Sequence, residues 1–174
     1  MISSALSFVA TFIGLILLQV LLLNNVVLHH MFTPYIYPIF ILLLPFRTPP
    51  VVTILLGLAL GLSVDAFSNT GGMHGLATVF MAFMRSAVIR IFTPHDGYET
   101  EDQPTFHHMG AAWFFLCYGS LLLMHHAVYF TAEVFSLNRP FYLIWKIILS
   151  TAISLLITLV MQLFIIPGKS KKLA

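Results

Sequence analysis

The chain has 174 residues, 59% of them hydrophobic and only 8% charged, with a formal net charge of +2. Soluble domains carry about 25% charged residues, and a mean hydropathy of +0.97 excludes this chain from that class. Its few basic residues are scattered or terminal, which excludes a nucleic-acid footprint, and its single cysteine excludes an internal disulfide.

Residues 6–23 form the first expected span. The run is longer than the roughly 7–15 residues of a signal-peptide core and has no positive flank, so it is expected to be retained. Asn24 and Asn25 end it. Residues 35–46 form the second, bracketed by Pro34, Pro38 and Pro45. Twelve helical residues rise only about 18 Å, so this crossing has to be partly irregular and flanked by protein, or extended toward His30. The third span begins after Pro49 and Pro50, where proline suits a first helical turn, and runs to Asp65. Ser68, Asn69, Thr70, Gly71 and Gly72 read as a tight reversal. A fourth span covers residues 73–92. Residues 93–105, with Pro94, Gly97, Pro104 and the acidic Asp96, Glu99, Glu101 and Asp102, read as a water-exposed loop. The fifth and sixth spans cover residues 110–135 and 140–166, the latter ended by Pro167 and Gly168. The expected fold is all-α: one integral membrane domain over residues 1–174, a polytopic bundle of about six transmembrane helices.

Six crossings place Arg47, Arg90, Lys169, Lys171 and Lys172 on one face, leaving Arg139 and the slightly embedded Lys146 opposite. Basic residues mark the cytoplasmic side, so both termini are expected there.

Ionisable groups within a bilayer cost roughly 2.5–3.5 kcal/mol at a helix centre, so each asks for a reason. Asp65 ends a helix that carries Gly57 and Gly61 at four-residue spacing, a pattern that lets another helix approach closely. This face is expected to meet a partner's transmembrane helix. Asp65 is expected either to cap the loop amides around Asn69 and Gly71 or to meet a polar group of a partner or ligand. Glu133 lies near the end of span five, and Lys146 can snorkel toward it. Asp65, His125, His126, Glu133 and Lys146 are thus a candidate intramembrane polar layer; the alternative is that Glu133 and Lys146 reach headgroups separately. His29 with His30, His107 with His108, and His125 with His126 are adjacent pairs. Helical neighbours point about 100° apart and make no chelating face, so no metal site is expected. His125 and His126 are expected to hydrogen-bond across the bundle, as is Gln19, and Arg85 and Arg90 to snorkel to cytoplasmic headgroups. Without a nucleophile elbow, a zinc-protease helix or a phosphate loop, neither enzymatic activity nor a cofactor is expected. A second reading, a small-solute-binding component of a transporter, requires an outward polar pocket that Asp65, His74, Glu133 and Lys146 would line.

The proline-bounded helix closing on Leu44, Pro45, Phe46 and Arg47, followed by Gly57, Gly61, Asp65, Ser68 and Gly72 leading into Ala77, resembles the MreD family of bacterial rod shape-determining membrane proteins. The segment GLSVDAFSNTGGMHGLATVFMAF carries most of the likeness. Tyr129, Phe130, Thr131, Ala132 and Glu133 are similar to that family's aromatic, acidic helix end, and the His125 and His126 pair with the TPHDGYE loop resembles its Bacteroidota branch. The second span is shorter and richer in proline than the resemblance implies. It implies a fold like the six-helix substrate-binding component of energy-coupling-factor transporters. It also implies a scaffold in the bacterial inner membrane that binds the single-span protein MreC and links the MreB cytoskeleton to the glycosyltransferase and transpeptidase of lateral wall synthesis. Asp65 would be the family's acidic residue, with Gly57, Gly61 and Gly72 around it.

Overall fold

The computed structural model describes residues 5–25, 32–99, 102–134 and 140–164. Its elements are α1 (Ala5–Leu17), continued by a π-helical turn (Leu18–Leu22) and a 3-10 turn (Leu23–Asn25), then α2 (Ile39–Leu43), α3 (Pro50–Ser68), α4 (Met73–Ile91), α5 (Phe106–Met109), α6 (Ala111–Val134) and α7 (Pro140–Phe164). Among the described residues, five helices are long and apolar enough to cross a bilayer: Leu6–Asn25, α3, α4, α6 and α7. The protein is an all-α, multi-pass membrane protein.

Two ends can be distinguished. At one, here called apical, Asn24 donates to Ser68 Oγ at 2.8 Å, α3 turns into α4, and α6 ends opposite the start of α7. At the other, basal, end Tyr98 donates to the Ile89 carbonyl at 2.8 Å and accepts from Trp113 Nε1 at 3.0 Å.

The second expected span is not a transmembrane helix. Its one helical piece is the five-residue α2, and every residue of 34–44 is buried. The chain nonetheless traverses the bundle. Tyr37 Oη lies 2.9 Å from His74 Nδ1 at the start of α4, whereas the carbonyls of Leu42 and Leu44 accept from Arg85. Eleven helical residues separate those two points on α4, a rise of about 16 Å. An irregular backbone is tolerated at this depth only where protein surrounds it, and here α1, α4, α6 and α7 all contribute. Phe8 and Phe12 of α1 each meet Phe40 edge-on at 5.2 Å. Among the described residues, five spanning helices and one sheathed, largely non-helical crossing thus take the place of about six helices. Because lipid tails are as apolar as leucine, the fit of these rings holds by packing and hydrogen bonding more than by exclusion of water.

The α3–α4 pair closes on glycine. A Cβ added at Gly61 would lie 2.6 Å from Gly75 Cα and from the His74 carbonyl, and one at Gly57 3.0 Å from Ala82 Cβ. The small-residue face expected to meet another protein is therefore occupied by the chain's own α4. The spacing does admit a close helix, but the turn of only a few residues after Ser68 makes the next helix in sequence the occupant. That turn places Asn69 at φ 55°, Gly71 at 61° and Gly72 at 95°, values that glycine and asparagine accept most readily.

Candidate functional site

The polar residues form a chain of contacts around the buried crossing, from the apical to the basal end. Asp65, 6% exposed, accepts at Oδ1 from the His74 amide at 3.0 Å and from Thr70 Oγ1 at 2.5 Å, and at Oδ2 from the Gly75 amide at 2.8 Å. The carboxylate therefore caps α4 from nine residues upstream. It satisfies amides that have no carbonyl within the helix and sets a negative charge at the positive end of the helix dipole. The cap lies about one turn later than the expected amides around Asn69 and Gly71.

Beneath it, Tyr37 Oη lies 2.7 Å from His125 Nε2, 2.9 Å from His74 Nδ1 and 3.3 Å from Thr78 Oγ1. The π-helical turn brings Gln19 into the interior, where Nε2 donates to the Pro34 carbonyl at 3.1 Å and Oε1 accepts from the Ile36 amide at 2.9 Å. A π turn inserts an extra residue per loop and often marks such specialised places. From the other side, Ser150 Oγ accepts from the Thr33 amide at 3.0 Å, and Ser154 Oγ from the Tyr35 amide at 2.9 Å. His126 Nε2 lies 3.4 Å from the same Ser154 oxygen, and its Nδ1 lies 2.8 Å from the Leu122 carbonyl. The non-helical backbone thus finds side-chain partners that its own conformation denies it.

Those serines belong to a stripe. Lys146, Ser150, Ser154, Thr158 and Gln162 are all buried and recur at four-residue spacing along α7. Lys146 pairs with Glu133 and lies 4.6 Å above the Phe130 ring, and Gln162 Oε1 accepts from the Phe106 amide at 3.1 Å. The four-residue repeat is visible in the sequence, but short hydroxyls on an apolar background carry no charge to mark them.

The five-residue polar layer is not one layer. Asp65 serves α4, His125 joins Tyr37, His126 joins Ser154, and Lys146 joins Glu133, because the helix rotations aim these side chains at different neighbours. Ser68 accepts from Asn24. His107 Nε2 lies 3.0 Å from the Gln162 carbonyl, and His108 Nδ1 3.5 Å from Asp102 Oδ1. His29, His30, Arg139, Glu101 and the terminal lysines lie outside the described residues. No group of three or more His, Cys, Asp or Glu converges to hold a metal among the described residues.

Arg85 departs most from expectation. It does not snorkel but is 2% exposed, with Nη2 donating to the carbonyls of Leu42 at 3.3 Å, Pro45 at 3.3 Å and Leu44. These acceptors lie at and just beyond the C-terminal end of α2, where a cation complements both the dipole and the unpaired carbonyls. Arg90, one turn further on, is exposed at the basal end. At that end the Tyr98 ring stacks on Phe46 at 4.2 Å, and burial pushes its phenol above the ordinary tyrosine range. Chemically, these groups hold backbone in place: even where a hydroxyl meets an imidazole, at Ser154 and His126, the serine accepts from the Tyr35 amide and the histidine ring lies against the Leu122 carbonyl.

Comparison of this chain with protein-family models, with curated proteins and with solved structures finds no match.

Proposed function

We propose that this protein is a non-enzymatic scaffold of the bacterial inner membrane that works in the cell-elongation machinery in the manner of the MreD family. In this reading it binds an MreC-like single-span protein and helps couple the MreB cytoskeleton to the glycosyltransferase and transpeptidase of lateral wall synthesis. The supporting observation is that the apical polar groups are engaged within the chain. Asp65 holds three donors, His74 meets Tyr37, and Lys146 meets Glu133. The residues that would line a solute pocket instead brace a bundle, and a braced bundle with apolar flanks suits the holding of other helices. Since Gly57 and Gly61 pack on α4, the partner's helix meets outward faces, such as that of α7 with Phe141, Ile144, Trp145 and Ile148. Arg47 and Arg90 at the basal end favour that end as cytoplasmic.

Co-expression with the MreC-like protein of the same bacterium and affinity purification from detergent tests the reading. A stoichiometric complex is expected, and its loss on lining α7 with Trp145→Ala and Ile148→Ala would place the contact. Failure of the intact, folded protein to retain that partner, together with saturable binding of a small solute, would move the chain to the transport class.

A further inference from the structure

The Tyr37 hydroxyl stands between two imidazole nitrogens, 2.9 Å from His74 Nδ1 and 2.7 Å from His125 Nε2. A phenol carries one hydrogen and can serve one of them. Thr78 does not make up the difference, because its own hydrogen goes to the His74 carbonyl at 2.6 Å while its oxygen lies 3.3 Å from Tyr37. One ring therefore donates to Tyr37 and the other accepts from it. Since a neutral imidazole carries its hydrogen on one nitrogen or the other, the choice made at Tyr37 sets both far nitrogens. Two arrangements satisfy this condition. In the first, His125 gives its Nε2 hydrogen to Tyr37 and Tyr37 gives its own to His74 Nδ1, so both rings are Nε2–H tautomers, the form that a free histidine side chain favours. In the second, both are Nδ1–H tautomers, and the hydrogen on His125 Nδ1 finds no acceptor, since that nitrogen is buried without a hydrogen-bond partner among the described residues. A buried N–H left so forfeits the hydrogen bond it makes in water. The first arrangement is the resting one, and it leaves His125 Nδ1 as a bare base.

We propose that His125, Tyr37 and His74 form a proton relay inside the membrane domain, running from His125 Nδ1 to His74 Nε2. Histidine chains within a bilayer are a recurring means of moving protons. A proton carried in by water adds to His125 Nδ1. His125 then passes its Nε2 hydrogen to the Tyr37 oxygen as the Tyr37 hydrogen passes to His74 Nδ1, so the tyrosine ends neutral and the positive charge moves to His74. That ring is the better placed to hold it. The Asp65 carboxylate accepts from the His74 amide at 3.0 Å, whereas His125 sits among the rings of Tyr35, Tyr37 and His126 at centroid distances of 6.1, 5.5 and 5.5 Å. Release of the Nε2 hydrogen from His74 toward the apical end completes the passage. It leaves the second arrangement, and the same transfers run backwards restore the first. The inference stands apart from the identity of any protein partner.

Heteronuclear NMR of the full-length protein, with isotopically labelled histidine rings and reconstituted in lipid nanodiscs, tests it. At neutral pH both His74 and His125 are expected to carry hydrogen on Nε2. After transfer to heavy water these two hydrogens should exchange at matching rates, because each passage moves them together. Tyr37→Phe removes the shared oxygen and should slow exchange at His125 roughly tenfold, the rate equivalent of one hydrogen bond lost from the path, while His74 keeps its own rate. Hydrogen on Nδ1 of either ring in the resting protein would overturn the proposal, as would a His125 rate that Tyr37→Phe leaves unchanged. Should that variant not fold, the wild-type protein alone decides, since unequal exchange at the two rings would leave a set of static hydrogen bonds and no relay.

Discussion

The seam between α3 and α4 and the seam between α7 and the buried crossing close the same bundle by opposite means. Along α3 and α4 both backbones are helical and internally satisfied, so the interface needs only the absence of side chains: Gly57 and Gly61 on one side, Gly75 and Ala82 on the other. Along α7 the facing backbone is non-helical, and hydroxyls at helical spacing supply the missing partners. In lipid, where no water can stand in, the kind of side chain at a seam follows from whether the opposite backbone has already paired its own amides.

Four tests break or sharpen that contrast. Gly61→Leu should have the largest effect, since even a first carbon sits 2.6 Å from the α4 backbone. A loss of about 3 kcal/mol or more is expected, read as a collapse of thermal stability in detergent; wild-type stability with impaired partner binding would restore the intermolecular reading of this face. Arg85→Ala follows, because three carbonyls at the α2 end lose their donor. About 2 kcal/mol is expected, recovered in part by Arg85→Lys, and faster protease cleavage near residue 45 should accompany it. Ser154→Ala orphans the Tyr35 amide and should cost about 1–2 kcal/mol, whereas Ser154→Cys, which keeps a weak acceptor, should cost less. An equal effect of Ser120→Ala, whose hydroxyl bonds only its own helix, would remove any special role for the α7 stripe. Smallest is the Lys146 and Glu133 pair, with the glutamate side chain 36% exposed. A double-mutant cycle of Lys146→Met and Glu133→Gln should give a coupling under about 1 kcal/mol.

The helices were legible to within a few residues. Proline at positions 50 and 140, glycine at 72 and 110, and long apolar runs set α3, α4, α6 and α7, because lipid permits so few alternatives. The mismatch of residues 35–46 with a spanning helix was legible from length alone, and so was its need for surrounding protein. What sequence could not reveal is rotation about each helix axis. Arg85 could as well have pointed to headgroups as to the carbonyls of Leu42 and Leu44. The glycines of α3 carry the same spacing whether the approaching helix is their own neighbour or another chain's. Likewise, Asp65 stands out by its charge, while Tyr37 within the crossing and Ser150 and Ser154 facing it carry no such mark, because tyrosine and serine are ordinary residues in an apolar chain.

The pairing of Thr33 with Ser150 and of Tyr35 with Ser154 joins residues 117 and 119 positions apart. During synthesis, then, the early non-helical stretch leaves the ribosome long before the helix that completes it, and contacts of such separation form late. The stretch threaded between the helices therefore gains these two partners only once α7 is in place. A nascent chain stopped before position 150 lacks both serines, and the Thr33 and Tyr35 amides then have no partner from α7.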